Sequence, residues 1–294
     1  MLDASGDVGN TRAVERIRNG WRLAKASWHV LSQDRELIAI PIVAGLISLL
    51  VFGLVGGSGI AAFADDDGNV GVGGWILLSI AVLLATWVSV VGQAAVISGA
   101  GQRMDGADPT LGTSFAGARS RTGRLFEWAV LATVVAIVLD TIRNRLGIAG
   151  NILASLGNMA FSVLSFLALP VIVFEDVGAI DGFKRSSQLL RGTWGEQLTF
   201  TFGLGLLGIL AALPGIGVAA ALAVTGVSAL QVLGFTVGAL WIIAVVAVTS
   251  ALSAVFKAAL YRYATQQPVD VAFDTADLSG AFRRRSSRRS AAPA

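Results

Sequence analysis

The residues able to do chemistry are few and scattered. The chain has one histidine, His29, and no cysteine among its 294 residues, so no histidine cluster or thiolate set can hold zinc. No nucleophile-and-base set of the Ser-His-Asp kind assembles either, and His29 reads as an interfacial side chain at the edge of an amphipathic segment. Gly203-Leu204-Gly205-Leu206-Leu207-Gly208 matches the dinucleotide fingerprint letter for letter. That fingerprint works only between a strand and a helix with an acidic residue downstream; here it lies inside an apolar stretch that has neither. These absences predict a protein that is not an enzyme and uses no metal or cofactor.

The candidate sites that remain are ionisable groups close to apolar segments. Asp140 follows an apolar stretch, and a carboxylate at the centre of a membrane helix costs about 2.5–3.5 kcal/mol. If it lies deep, it is a proton or cation site; if it sits at the outer interface, Arg143 one turn on pairs with it there. Glu175 and Asp176 follow Pro170 and precede a basic helix carrying Lys184, Arg185 and Arg191. Two readings fit this pattern: a salt-bridged turn that docks the helix, its amino end favouring negative charge, or a site for a phosphate headgroup. Arg283-Arg284-Arg285-Ser286-Ser287-Arg288-Arg289 packs five arginines into seven positions, enough to attract anionic lipid at about 1 kcal/mol per residue or to remain a solvated end. Without interleaved aromatics or a folded module, the run does not point to nucleic acid.

The elements that position these groups are set by where charge is missing. Gln197 to Phe256 runs 60 residues without Asp, Glu, Lys or Arg, although charged residues make up 14% of the chain. With 54% apolar residues and a mean hydropathy of +0.72, the chain falls outside the soluble range. A span needs about 20 mainly apolar residues, and six segments qualify: Leu37 to Val55, Trp75 to Ile97, Leu125 to Ile142, Ile152 to Val173, Leu198 to Leu222 and Leu230 to Val255. The third is the shortest of charge-free length, with 12 uncharged residues between Glu127 and Asp140, and spans only if both carboxylates sit near its ends. The predicted class is therefore all-α, a polytopic bundle over residues 36–264. A basic amphipathic segment precedes it at 1–35 and a basic disordered tail follows at 265–294.

Lys and Arg are retained on the cytoplasmic side of short loops. With both termini cytoplasmic, that side collects 20 of them and the outside only Arg143 and Arg145, while Asp65-Asp66-Asp67 faces out. No short apolar core with a cleavage site opens the chain, so the first apolar segment is expected to stay as an anchor in the plasma (inner) membrane.

Val14, Ile17, Trp21, Ala24, Trp28 and Leu31 recur at helical steps ahead of the first span, the pattern of a helix lying in the headgroup layer or packed on the bundle. Phe183, Ser187, Leu190 and Trp194 repeat the steps of Ile17, Trp21, Ala24 and Trp28 ahead of the fifth, which suggests a parallel duplication. Phe115 to Phe126 fits that repeat poorly. Pro41, Pro170 and Pro214 are expected to kink their spans, and Pro214-Gly215-Ile216-Gly217 either bends the fifth or divides it into half-helices. Gly53-x-x-x-Gly57 and Gly234-x-x-x-Gly238 would allow close helix contact.

Pro170-Val171-Ile172-Val173-Phe174-Glu175-Asp176, Ala179-Ile180, Phe183-Lys184-Arg185-Ser186 and Arg191-Gly192-Thr193-Trp194-Gly195 together resemble an uncharacterised prokaryotic family of six-helix membrane proteins. Ser27-Trp28, Glu36-Leu37, Pro41, Phe256 and Leu260-Tyr261-Arg262-Tyr263-Ala264 extend the resemblance over nearly the whole chain. The pattern is more distantly similar to the membrane domain attached to glycerophosphodiester phosphodiesterases. The resemblance implies an integral membrane fold and nothing catalytic, since the phosphodiesterase domain and its acidic metal ligands are missing. The functional expectation is a non-enzymatic membrane component that organises lipid or partner proteins. Its partners would be anionic lipid headgroups and a second copy or another membrane protein. The rival expectation, a small-solute transporter or channel, rests on Pro214, the glycine-rich spans and Asp140.

Overall fold

A computed structural model of the chain describes residues 27–28, 35–64, 69–190, 197–225 and 227–268. The amphipathic segment with His29, the acidic cluster at 65–67, Arg191 to Trp194 and the arginine-rich tail lie outside the described residues. The described residues are helical and contain no strand. In chain order they form α1 (Arg35–Val51), a π-helical turn (Phe52–Gly56), α2 (Gly57–Phe63), α3 (Val72–Met104), α4 (Leu111–Arg119) and α5 (Thr122–Arg145). α6 (Gly147–Leu164), α7 (Ala168–Glu175), α8 (Ala179–Leu190), α9 (Gln197–Ala223) and α10 (Ser228–Ala264) complete the order.

Five helical stretches are long and apolar enough to cross a bilayer: Glu36–Phe63, Val72–Met104, Thr122–Arg145, Gly147–Glu175 and Ser228–Ala264. α9 is a further apolar helix, 27 residues long. It lies antiparallel along α10, as Gly208 meets Thr249, Gly215 meets Trp241 and Leu222 meets Gly234. α5 accommodates its carboxylates as a spanning helix must, with Glu127 near one end and Asp140 near the other.

Packing is tight at one end of the bundle and open at the other. Leu37, Ile40, Ile97, Leu125, Leu167, Ile172, Phe256 and Leu260 are fully buried, all toward the end where α3, α7 and α10 terminate. At the opposite end Leu54, Val72 and Ile148 are 73%, 78% and 83% exposed. Lipid tails are as apolar as leucine, so helices associate in a bilayer through close contact of small residues. Gly99 marks one such approach: a methyl there would lie 2.5 Å from both Leu37 Cδ2 and Ser114 Oγ, where α1, α3 and α4 meet. Gly92 against Ala44 is a second, at 2.5 Å. Of the two expected glycine pairs, Gly234 and Gly238 pack on Leu222, Ala219 and Gly215, whereas nothing approaches Gly53 or Gly57 within 4 Å. Gly53 lies within the π-turn and Gly57 directly after it, both exposed, so the expected close contact does not form.

Proline acts where it meets a helix start. α1 and α9 run unbroken through Pro41 and Pro214, so α9 is not two half-helices; the Trp241 indole N–H donates to Ala211 O at 2.7 Å beside Pro214. The expected continuous span from Ile152 to Val173 is instead interrupted at residues 165–167. Pro170 has no N–H, and its ring crowds the carbonyl four residues back. The chain therefore ends one helix and begins the next at Ala168, which places Pro170 in a first turn where it costs little.

Candidate functional site

The break between α6 and α7 frees backbone groups that lipid cannot satisfy, and a single hydroxyl from α8 meets two of them. Ser186 Oγ donates to Leu164 O at 2.6 Å and accepts from Leu167 N–H at 3.1 Å. Ser186 is fully buried, and Gly182 one turn earlier lets α8 approach closely, since a methyl there would stand 2.7 Å from Ile172. The buried face of α8 is thus Ala179, Gly182, Ser186 and Leu190. This face is rotated from the Phe183–Ser187–Leu190 stripe read in the sequence, because the small residues and the hydroxyl are what the break requires. Phe183 lies at the edge of that face, stacked on Phe161, which stacks in turn on Trp128.

The stitched break fixes where α7 ends, and its end is the hub of the charged groups. Asp176 adopts the left-handed conformation, φ 54°, ψ 46°, which a short polar side chain tolerates better than most. The turn it makes sends Glu175 and Asp176 to different partners. Glu175 Oε1 accepts from the Tyr261 hydroxyl at 3.0 Å and from Arg185 Nε at 3.3 Å. Asp176 pairs with Arg124 at 2.8 Å and Arg121 at 3.2 Å. Phe174 stacks on Tyr261 at 5.2 Å, so α7 and α10 are joined by a ring contact and a hydrogen bond together.

Two short helices are held at their amino ends by carboxylates from other helices. Glu127 Oε2 accepts from Ala179 N–H, the first residue of α8, at 3.3 Å. Glu36 Oε2 accepts from Leu111 N–H, the first residue of α4, at 2.6 Å. Both bonds satisfy a donor that the helix itself cannot, and both place negative charge at the positive end of a helix dipole. Thr110 and Thr113 complete a capping box on α4. α4 is therefore held at its amino end by both a capping box of its own and a carboxylate from α1.

Arg262 closes the same end. It is nearly buried, and its guanidinium holds Asp105 in a two-pronged pair at 2.8 Å and 2.6 Å while Nη2 also donates to Gly101 O at 3.0 Å. The hydrogen bond from Arg262 keeps the Asp105 carboxyl below its usual range, outweighing the opposing effect of partial burial.

The structure places Glu175, Asp176 and Arg185 in one cluster with Arg121, Arg124 and Tyr261. Lys184 points away to Asp181 at 3.6 Å with both side chains exposed, and Arg191 lies outside the described residues. Asp140 is exposed near the far end of α5, accepting from Asn144 at 2.9 Å with Arg143 at 3.9 Å. Sequence reading missed Arg121, Arg124, Glu127, Ser186 and the Asp105–Arg262 pair. The only local signal was the i, i+3 spacing of the two arginines, since their partner is 52 residues away from Arg124. Among the described residues no three His, Cys, Asp or Glu gather as a metal site, and Gly203 to Gly208 lie within α9.

A helical bundle with five apolar helices of membrane-crossing length, its ionisable groups collected at helix ends, defines a multi-pass membrane protein. The chain belongs to a family of unknown function, DUF6159, whose model matches residues 72–270. No match to a curated protein or to a solved structure was found.

Proposed function

We propose that the chain crosses the plasma (inner) membrane six times, with α9 as the additional span and both termini cytoplasmic. In this reading it is a non-enzymatic membrane component that organises anionic lipid or partner proteins at its charged end, as a homo-oligomer or with another membrane protein. The observation that carries the reading is segregation of charge. Arg103, Arg119, Arg121, Arg124, Lys184, Arg185, Lys257 and Arg262 gather at one end, and Arg143 and Arg145 stand at the other. Such a distribution matches retention of basic residues on the cytoplasmic side, where anionic lipid is found. Glu36, Asp105, Glu127, Glu175 and Asp176 of that end are engaged in holding helices together, which supports a scaffold rather than a reaction centre.

Asp140 bears on the transport alternative. It is exposed beside Arg143 and Asn144 at a helix end, which supports ordinary interfacial pairing over an ion site. The test is lipid analysis of the full chain purified in mild detergent, beside a variant lacking residues 283–289. Anionic lipid is expected to co-purify with the first and to fall severalfold in the second. Equal lipid in both would overturn the headgroup role, and solute flux in proteoliposomes abolished by Asp140→Asn would replace it with transport.

A further inference from the structure

Well below the charged end, α1, α3 and α10 border a cavity of about 330 Å³ that opens at the bundle surface, where Leu46, Leu49 and Ser89 are exposed. Small residues line it beside larger apolar ones: Gly45, Ala247 and Ala254 face the space, next to the close contact of Gly92 with Ala44. Its size falls at the lower end of small-ligand sites, which run from about 300 to 1,000 Å³. Gln93 is 11 residues before Met104, the last residue of α3, which puts it about 16 Å in at 1.5 Å per residue. That depth belongs to the hydrocarbon and not to the headgroup layer.

The walls are largely apolar, yet polar atoms reach the space from all three helices. Ser89 and Gln93 stand one turn apart on α3, Ser250 lies on α10 and Ser48 on α1. The Ser48 hydroxyl is used, donating to Ala85 O at 3.1 Å. The Gln93 amide and the Ser89 and Ser250 hydroxyls make no hydrogen bond among the described residues. An amide without a partner in hydrocarbon costs several kcal/mol, so a neighbour that can hydrogen-bond is strongly favoured there. Among the described residues no charged side chain lines the cavity; an ion or a charged headgroup would be stripped of water with nothing there to compensate it.

We propose that this cavity binds a neutral lipid through a carbonyl oxygen, which accepts from the Gln93 amide and the Ser89 and Ser250 hydroxyls while its apolar body fills the space between the three helices. The site differs in depth and in charge from the headgroup role proposed above and does not depend on it.

The test uses the full chain in liposomes with three photoactivatable probes: a diacylglycerol, a decyl benzoquinone, and a phosphatidic acid with the diacylglycerol's chains. One or both neutral probes are expected to label peptides spanning residues 41–49, 89–96 or 242–254. Labelling should be competed by the unlabelled compound and drop at least fivefold in Gln93→Leu, which keeps the side-chain bulk and removes the amide. The stronger of the two neutral probes identifies the source of the carbonyl. Competition on the unaltered chain keeps the test decisive if Gln93→Leu folds poorly. Equal labelling of those peptides by phosphatidic acid, labelling that is not competed, or labelling undiminished in a folded Gln93→Leu would overturn the proposal. So would a change of oligomeric state in that variant, which would place the amide between two copies of the chain.

Discussion

Replacing Ser186 with alanine should cost far more than the loss of one hydroxyl suggests. Ser186 Oγ donates to Leu164 O at 2.6 Å and accepts from Leu167 N–H at 3.1 Å. Ser186→Ala leaves the buried Leu167 N–H and the part-buried Leu164 carbonyl without a partner, at about 1–3 kcal/mol each. Ser186 is fully buried, and the space freed by one oxygen atom is too small to admit a water that could substitute. The expected loss is about 2–6 kcal/mol, which at about 2–4 °C per kcal/mol amounts to a fall on the order of 10 °C in apparent Tm. Intrinsic tryptophan fluorescence in detergent reads this directly. Ser187→Ala is the control, since that hydroxyl bonds only to Lys184 O within its own helix; a change within about 0.5 kcal/mol is expected. The cause of the break can be tested as well. If Pro170 is what prevents a continuous helix, Pro170→Ala lets the backbone regain its own hydrogen bonds, and the double variant should lose at least about 1 kcal/mol less than the sum of the single ones. A Ser186→Ala protein with unchanged Tm, or strictly additive effects of the two substitutions, would refute the reasoning.

Three further outcomes follow from the packing and the charge pairs. Gly99→Ala should destabilise by about 1–3 kcal/mol through overpacking, because its methyl would lie 2.5 Å from Leu37 and Ser114; Gly57→Ala, with nothing within 4 Å, should be neutral or gain up to about 1 kcal/mol by the same melting measurement. Asp105→Asn should cost about 1 kcal/mol at neutral pH, a modest value because the Asp105 side chain is 65% exposed. Since Arg262 lowers the folded-state pKa of Asp105, this contribution is fully present above the unfolded value of about 3.9 and is lost as pH falls through the folded one. The Tm gap between the two proteins should therefore narrow on acidification. The chain has no native cysteine, so Asp66→Cys and Arg119→Cys should be labelled by a membrane-impermeant reagent from opposite sides; labelling of both from one side would overturn the proposed threading.

The membrane character of this chain is written in its sequence because transfer into hydrocarbon is decided nearly residue by residue. A run of 60 uncharged residues specifies apolar helices whatever their neighbours are. The same local logic accounts for the paired position of Asp140 and Arg143, one turn apart on one helix. It also makes the dinucleotide-like glycines of α9 recognisable as chance. Which faces meet is another matter. The spans are apolar all round, and lipid satisfies such a surface as well as another helix does, so no periodic stripe announces the packed side. Only the tertiary structure decided that Gly99 is confined while Gly57 is free, and that Pro170 ends a helix while Pro214 does not. Likewise, Asp176 draws arginines from α5 whereas Glu175 takes Arg185 and Tyr261, and Arg262 finds its carboxylate 157 residues away. Hydrogen bonds and ion pairs are short-ranged and directional, and their partners are chosen by where the backbone brings them.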